Sequence, residues 1–322
     1  MRFFHHAKYN FISVERWAWS ITGAIILPGI VLLAARGLNY SVEFTGGTLI
    51  QVGTEKPVQF GPVRAALEKA GMDAPELQAF GTSGTEFTIR ARVGETGSAV
   101  DANNTQLTLQ AAGVGLDQSL GAGHYKIEHT YAIGPKVGAE LRSQALWLIF
   151  LSFFVVLLYL AIRFEWRFGV AAVLATAHDI VATIAFISIL HMEVSLVVVA
   201  AVLSMVGYSL NDTIIIFDRV RENMHKYKRS DLYQVLNLSI NETLPRSVLT
   251  HGTVLATLLS LAIFGGEVIR PFSLVMFFGV FTGTFSSIFI APPVLLYIEK
   301  RWPGQDVKGT RSISTDAVPA GR

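Results

Sequence analysis

The sequence contains no cysteine, which excludes disulfides, thiol catalysis and thiolate metal sites. Charge is also scarce: only 16% of the 322 residues are Asp, Glu, Lys or Arg, against roughly 25% in an average soluble domain. The net charge is +2, too small for the clustered basic face that nucleic-acid binding needs. No Gly-rich loop ends in Gly-Lys-Ser or Gly-Lys-Thr, and no Gly-x-Ser-x-Gly elbow or His-Glu-x-x-His pair occurs, so ATP-driven and common hydrolytic chemistry lack their motifs. An enzyme is not expected, nor a cofactor or a metal. The adjacent His5 and His6 lie in a short N-terminal tail, where solvated side chains are expected rather than metal ligands.

Apolar residues fill the space that charge leaves. They make up 51% of the chain, and the mean hydropathy is +0.46. One soluble core could not easily hide that much apolar surface, so the composition predicts a membrane protein. Six runs are long and apolar enough to cross a bilayer: 17–35, 145–162, 168–190, 194–217, 248–264 and 272–298. The first is too long for a signal peptide and lacks a small-x-small cleavage pattern, so it reads as a retained anchor. Basic residues cluster in the tail with Arg2, Lys8 and Arg16, in the loops with Arg163 and Arg167 and with Arg219 to Arg229, and in the tail after Lys300. The two short loops on the other side hold only Arg270. The positive-inside rule then places both termini in the cytoplasm.

This gives a tail over 1–16, a first membrane helix over 17–36, an extracytoplasmic domain over 37–141, a five-helix membrane region over 142–300 and a second tail over 301–322. Within the domain, Tyr40, Val42 and Phe44 alternate with polar residues as a strand does. Gly46 and Gly47 interrupt as a bulge or turn, and Ile50 and Val52 resume the alternation. Residues 61–71 read as a short amphipathic helix that Gly71 stops. Residues 77–80, 86–93 and 125–133 read as strands, and 103–120 is ambiguous with a helical leaning. An α+β sandwich fits that alternation.

The informative residues are polar ones inside the spans, because a charge at the centre of a lone helix costs about 2.5–3.5 kcal/mol on insertion scales. Asp179 sits mid-span in the third run, Asp212 in the inner half of the fourth, and Arg246 at the opening of the fifth. Ser204, Tyr208, Asn211 and Asp212 fall at i, i+4, i+7 and i+8, one polar stripe on an apolar helix. Arg246, Thr250, Thr253, Thr257 and Ser260 make a second stripe, and Thr176, Asp179 and Thr183 a third. Asp212 and Arg246 lie near the same ends of consecutive spans and are positioned to pair. Spacing alone leaves a proton or ion relay and a static polar seam equally open. For Asp179 a structural or helper role is the stronger reading. His178 and His251 are expected to pack, Gly46 and Gly47 to shape a turn, and Gly279 and Gly283 to make a close helix contact.

Six motifs resemble one family across roughly residues 10–300. They are Val-Glu-Phe-Thr-Gly-Gly-Thr at 42–48, Ile-Gly-Pro-Lys-Val-Gly at 133–138, Gly-Tyr-Ser-Leu-Asn-Asp-Thr at 207–213, Phe-Asp-Arg-Val-Arg-Glu-Asn at 217–223, Thr-Leu-Pro-Arg-Ser at 243–247 and Phe-Gly-Gly at 264–266. The chain resembles the SecF family, the smaller membrane subunits of the bacterial SecDF accessory translocase. Glu43 stands where that family often has Asp. The resemblance implies an α-helical membrane protein, with six transmembrane helices forming half of a resistance-nodulation-division-like core and one α+β ferredoxin-like extracytoplasmic domain. It implies a SecD partner supplying the other half, the SecYEG translocon and a translocating preprotein as further partners, and YajC and YidC as candidates beyond these. The implied activity is proton-motive-force-driven assistance of protein export in the bacterial inner membrane, with Asp212 and Arg246 in the proton pathway and Asp179 assigned to it. Two rival readings share the fold: half of a proton-coupled small-molecule or lipid exporter, and an assembly subunit that moves no protons.

Overall fold

The computed structural model describes residues 9–72, 75–80, 84–91, 105–163, 165–227 and 230–302. His5 and His6, the strand end at 92–93, the basic Lys228 and Arg229 and the tail over 303–322 lie outside the described residues. A four-stranded sheet and two helices form the α+β domain. Its elements run β2 (Gly47–Thr54), α3 (Phe60–Lys69), β3 (Glu76–Phe80), β4 (Glu86–Ala91), α4 (Thr105–Leu120) and β5 (Tyr125–Ile133). The sheet order is β3-β4-β2-β5 and every pairing within it is antiparallel, which is the split βαββαβ topology of ferredoxin-like domains. Alternation sends Ile50 and Val52 of β2 and Phe87, Ile89 and Ala91 of β4 to one face, where Val63 and Leu67 of α3 and Ala112 and Leu116 of α4 cover them. Gly115 lets the two helices cross closely, since a Cβ there would stand 2.8 Å from the Leu67 side chain.

The strand expected over 40–44 is not formed. The strand there is confined to β1 (Asn39–Tyr40), which pairs in parallel with β6 (Glu193–Val194). Val42–Thr45 is a single helical turn, α2, closed by bonds from the Thr45 N–H to the Ser41 carbonyl (3.1 Å) and from the Gly46 N–H to the Val42 carbonyl (2.9 Å). Val42 and Phe44 are both buried because the turn is wedged against the next long helix, so their spacing mimics a strand. Gly138 on that helix makes the fit possible, as a Cβ there would meet the Gly46 nitrogen at 2.9 Å.

The helical region comprises α1 (Glu15–Arg36), α5 (Pro135–Arg163), α6 (Trp166–Ile189), α7 (Leu196–Lys226), α8 (Leu232–Phe264), α9 (Gly266–Phe289) and α10 (Ala291–Arg301). Among the described residues, six segments are long and apolar enough to cross a membrane, with α9 and α10 together making the sixth. The break between those two falls at Ile290, just before Pro292 and Pro293, since a proline ring displaces the preceding turn. The loop expected between the fourth and fifth spans is largely helical: α7 runs on to Lys226 and α8 starts at Leu232. Hydropathy marks only the membrane-facing part of each helix, whereas Val220, Leu232, Val235, Leu236 and Ile240 bury an apolar face beyond it. Glycines set the closest crossings. A Cβ on Gly279 or Gly283 of α9 would collide with Met205 or Ser209 of α7, and one on Gly29 of α1 with Ala185 of α6. The outer faces of α1 and α5 expose Leu27, Val31, Trp147, Phe150 and Ile162.

Candidate functional site

Helix α6 carries Asp179 and helix α7 carries Asp212, and both carboxylates are buried, at 0% and 2% exposure. A buried carboxylate is tolerable only when its oxygens are satisfied. Hydroxyls on neighbouring helices do this. Asp179 Oδ2 accepts from Ser209 Oγ of α7 (2.5 Å) and Ser286 Oγ of α9 (2.6 Å). Asp179 Oδ1 lies 3.0 Å from His178 Nδ1. Asp212 Oδ1 accepts from Ser247 Oγ of α8 (2.7 Å), and Asp212 Oδ2 from Ser287 Oγ of α9 (3.0 Å). Two consecutive serines of α9 therefore serve two carboxylates on two different helices. The close approach at Gly283 brings that turn of α9 against Ser209.

The flanking threonines of α6 are turned back on their own helix, Thr176 to the Ala172 carbonyl (3.0 Å) and Thr183 to the Asp179 carbonyl (2.8 Å). His178 Nε2 is buried without a hydrogen-bond partner among the described residues. A neutral ring that donates from Nδ1 to Asp179 leaves Nε2 as an unused acceptor, which is less costly than a stranded N–H. Tyr208 and His251 meet edge to face at 5.6 Å across the α7–α8 seam, and His251 Nδ1 lies 2.8 Å from the Ser247 carbonyl.

Arg246 does not pair with Asp212 among the described residues. Neighbouring residues on a helix point about 100° apart, and Ser247 takes the inward position while Arg246 is exposed. The two polar stripes follow the same division. Ser204 and Asn211 of α7 and Arg246, Thr250, Thr253, Thr257 and Ser260 of α8 are exposed, Tyr208 is half-buried, and Asp212 lies on the inner border. The stripe of α6 is buried throughout, at Thr176, Asp179 and Thr183. Sequence reasoning discounted His178, which touches Asp179, and passed over Ser209, Ser247, Ser286 and Ser287. A signal for the last two was present: they stand three and four residues after Gly283, in a stretch otherwise rich in Phe and Ile.

A second polar cluster joins the α+β domain to the start of α7. Glu43 Oε2 accepts from the Leu196 N–H at 2.6 Å, placing a carboxylate at a helix N-terminus, where the macrodipole favours it. Buried Arg90 of β4 forms ion pairs with Glu193 and with Glu76 (3.4 Å) and donates to the Tyr40 carbonyl (3.1 Å). Burial pushes the Glu193 carboxyl up, more than the Arg90 guanidinium pulls it down. Gly46 and Gly47, at φ +74° and +124°, let the chain turn from α2 into β2 beside this cluster. Among the described residues no cluster of three or more His, Asp or Glu groups suits a metal ion.

The fold and these sites define a class: a multi-pass membrane protein with one ferredoxin-like domain and paired carboxylates inside its helix bundle. Residues 116–301 match the family model described as protein export membrane protein SecD/SecF, C-terminal, and residues 31–58 match the SecD/SecF GG motif. The chain is 52% identical to a protein translocase subunit SecF of Gemmatimonas aurantiaca over 96% of this chain and 93% of that one. It is 39% identical to the SecF subunit of Escherichia coli O157:H7 over 89% and 87%. A crystal structure of SecDF from Thermus thermophilus, a translocon-associated membrane protein, superposes with a TM-score of 0.81 at 32% identity, over 94% of this chain and 40% of that one. SecDF in a super-membrane-facing form gives 0.65 at 33% identity, over 92% of this chain and 39% of that one. The chain thus spans about two fifths of those solved proteins. It belongs to the SecF family of protein translocase subunits.

Proposed function

We propose that this subunit pairs with a SecD half and uses the proton motive force to help complete translocation of preproteins leaving the SecYEG channel. The observation that carries the reading is the pair Asp179 and Asp212, each held by hydroxyls of other helices inside segments apolar enough to cross a membrane. A static seam can be built from serine and threonine alone. Carboxylates add a burial cost that a titrating group can return as work, since its charge changes with protonation. One charge moved through 100 mV is worth about 2.3 kcal/mol.

The same geometry supports the partner and the coupling in this reading. The exposed face with Ser204, Asn211, Arg246, Thr250 and Thr253 is unfavourable against lipid, and a SecD half covering it would bring Arg246 and the Asp212 border into a shared seam. The Glu43 contact attaches the α+β domain to α7, whose residue 212 lies 16 positions from Leu196, about 24 Å along the helix. A shift of α7 is thereby delivered to the domain. The basic-residue distribution supports cytoplasmic tails over 1–16 and 301–322, an extracytoplasmic domain over 37–141, and membrane regions over 17–36 and 142–300 of a bacterial inner membrane. YajC and YidC stand as further candidate partners.

A scaffold that moves no protons is the second reading, favoured by the partners that serine and His178 supply to every oxygen of the two carboxylates. Mild solubilisation, purification through this chain and mass spectrometry test the partnership: SecD should be retained, and purification without it overturns the reading. Reporter fusions at Gly123 and Ser230 should be active outside and inside the cytoplasm respectively, and the opposite pattern overturns the orientation.

A further inference from the structure

Four serines hold the two carboxylates, and they differ in one respect. Among the described residues, Ser209 and Ser247 each have a single acceptor for the hydroxyl, the carboxylate itself. Ser286 and Ser287 each have two. Ser286 Oγ is 2.6 Å from Asp179 Oδ2 and 3.1 Å from the Gly283 carbonyl. Ser287 Oγ is 3.0 Å from Asp212 Oδ2 and 2.9 Å from the Thr284 carbonyl. A hydroxyl has one proton to donate, so each of these two serines must choose.

We propose that Ser286 and Ser287 are paired positioning residues that switch their hydroxyls between carboxylate and backbone, so that Asp179 and Asp212 can each be held both ionised and protonated, the proton residing on Oδ2. With Asp179 ionised, Ser209 and Ser286 both donate to Oδ2. A proton added to Oδ2 displaces one of those donors, and of the two only Ser286 has a second acceptor among the described residues. Its O–H swings to the Gly283 carbonyl, and its oxygen lone pair then accepts the new carboxyl proton. Ser287 does the same between Asp212 Oδ2 and the Thr284 carbonyl, while Ser247 stays on Oδ1. In neither state is a buried hydroxyl or carboxyl left unpaired, and that removes the penalty which would otherwise oppose one of them. Because the two serines are adjacent on one turn of α9, a displacement of that helix changes both sites together. The titratable and charged groups nearby are His178 on Asp179 Oδ1, Tyr208 and His251 beside the Asp212 site, and the outward-facing Arg246. None of them offers Ser286 or Ser287 an acceptor among the described residues.

The inference rests on the proton-coupled reading, but its test is independent of export. In the purified membrane complex, infrared difference spectra across a pH series follow the carboxyl stretch, with Asp179→Asn and Asp212→Asn assigning the two bands. Ser286→Ala removes a charge-assisted donor from ionised Asp179 and the weaker neutral acceptor of its protonated form, and Ser287→Ala does the same at Asp212. Each should move its own band's midpoint toward higher pH by about one unit, with the complex still assembled. The protonated carboxyl that loses its acceptor should also shift its stretch, and a parental stretch in both variants overturns the switch. Midpoints unchanged in Ser286→Ala and Ser287→Ala, in complexes that assemble as the parent does, overturn the proposal. If the midpoints move yet Asp212→Asn leaves gradient-driven export intact, the switch stands and the export reading fails.

Discussion

Removing the Glu43 carboxylate should loosen the α+β domain from α7 without unfolding either. Glu43 Oε2 holds the Leu196 N–H at 2.6 Å, the first backbone donor of a 31-residue helix. Hydrogen bonds to charged groups contribute about 1.5–3 kcal/mol, and the helix terminus adds about 0.3–1 kcal/mol. The contact is partly exposed, so solvent screening argues for the low end, about 1.5 kcal/mol. That corresponds to about a tenfold rise in the open population. Glu43→Gln keeps an acceptor and loses the charge, so it should give a smaller effect than Glu43→Ala. Hydrogen exchange over 193–199 is the assay. Glu43→Ala should speed exchange there about tenfold while the sheet amides of Ile50 and Val52 keep parental protection, and export should slow. Parental exchange at 193–199 in Glu43→Ala would refute the assignment of this contact as a coupling point.

The glycine turn should be intolerant of side chains. Gly46 has φ +74° and ψ +165°, a region essentially reserved for glycine, so Gly46→Val and Gly47→Val should each cost about 1–3 kcal/mol, read as reduced accumulation or lower thermal stability of the complex; unchanged values for both contradict the turn. The Glu193 contact should depend on pH. Because burial raises its carboxyl, the native state keeps a proton that the unfolded chain has already lost, so its contribution to stability falls as pH rises from the ordinary glutamate range through the raised native value. Protection of the Ser41 amide, which donates to the Val194 carbonyl at 2.9 Å, should fall across that window after correction for intrinsic exchange. Glu193→Gln should flatten the dependence; an equal slope in the variant rules Glu193 out as its source.

Period and composition made much of this architecture readable. Apolar runs of membrane length coincide with α1 and with α5 to α10, because lipid demands continuous apolar helix. The alternation of Ile50 with Val52 and of Phe87 with Ile89 marks the covered sheet face. The same alternation misled at Val42 and Phe44, where a wedged helical turn buries both residues and only tertiary packing against Gly138 distinguishes turn from strand. At the candidate site, the charges Asp179, Asp212 and Arg246 were visible because charge is rare in such helices. Their partners were not. Serine is common in membrane helices, and whether Ser247 or Arg246 faces Asp212 depends on the rotation of α8, which no local pattern reports. Glu43 likewise reaches Leu196 across 153 residues of sequence.

The most direct test of the account replaces the Asp212 carboxylate with its neutral isostere. Asp212→Asn keeps the shape and a side-chain oxygen for Ser247 or Ser287 while removing titration. The measurement is export of a slowly translocated secretory protein into inverted membrane vesicles, with and without a proton gradient, after confirming that the variant still assembles with SecD. The account predicts that the gradient accelerates export with the parent and does nothing with Asp212→Asn, whose rate matches the parent's without a gradient. An assembled Asp212→Asn complex that responds to the gradient as the parent does would contradict it and leave the buried carboxylates as a static seam.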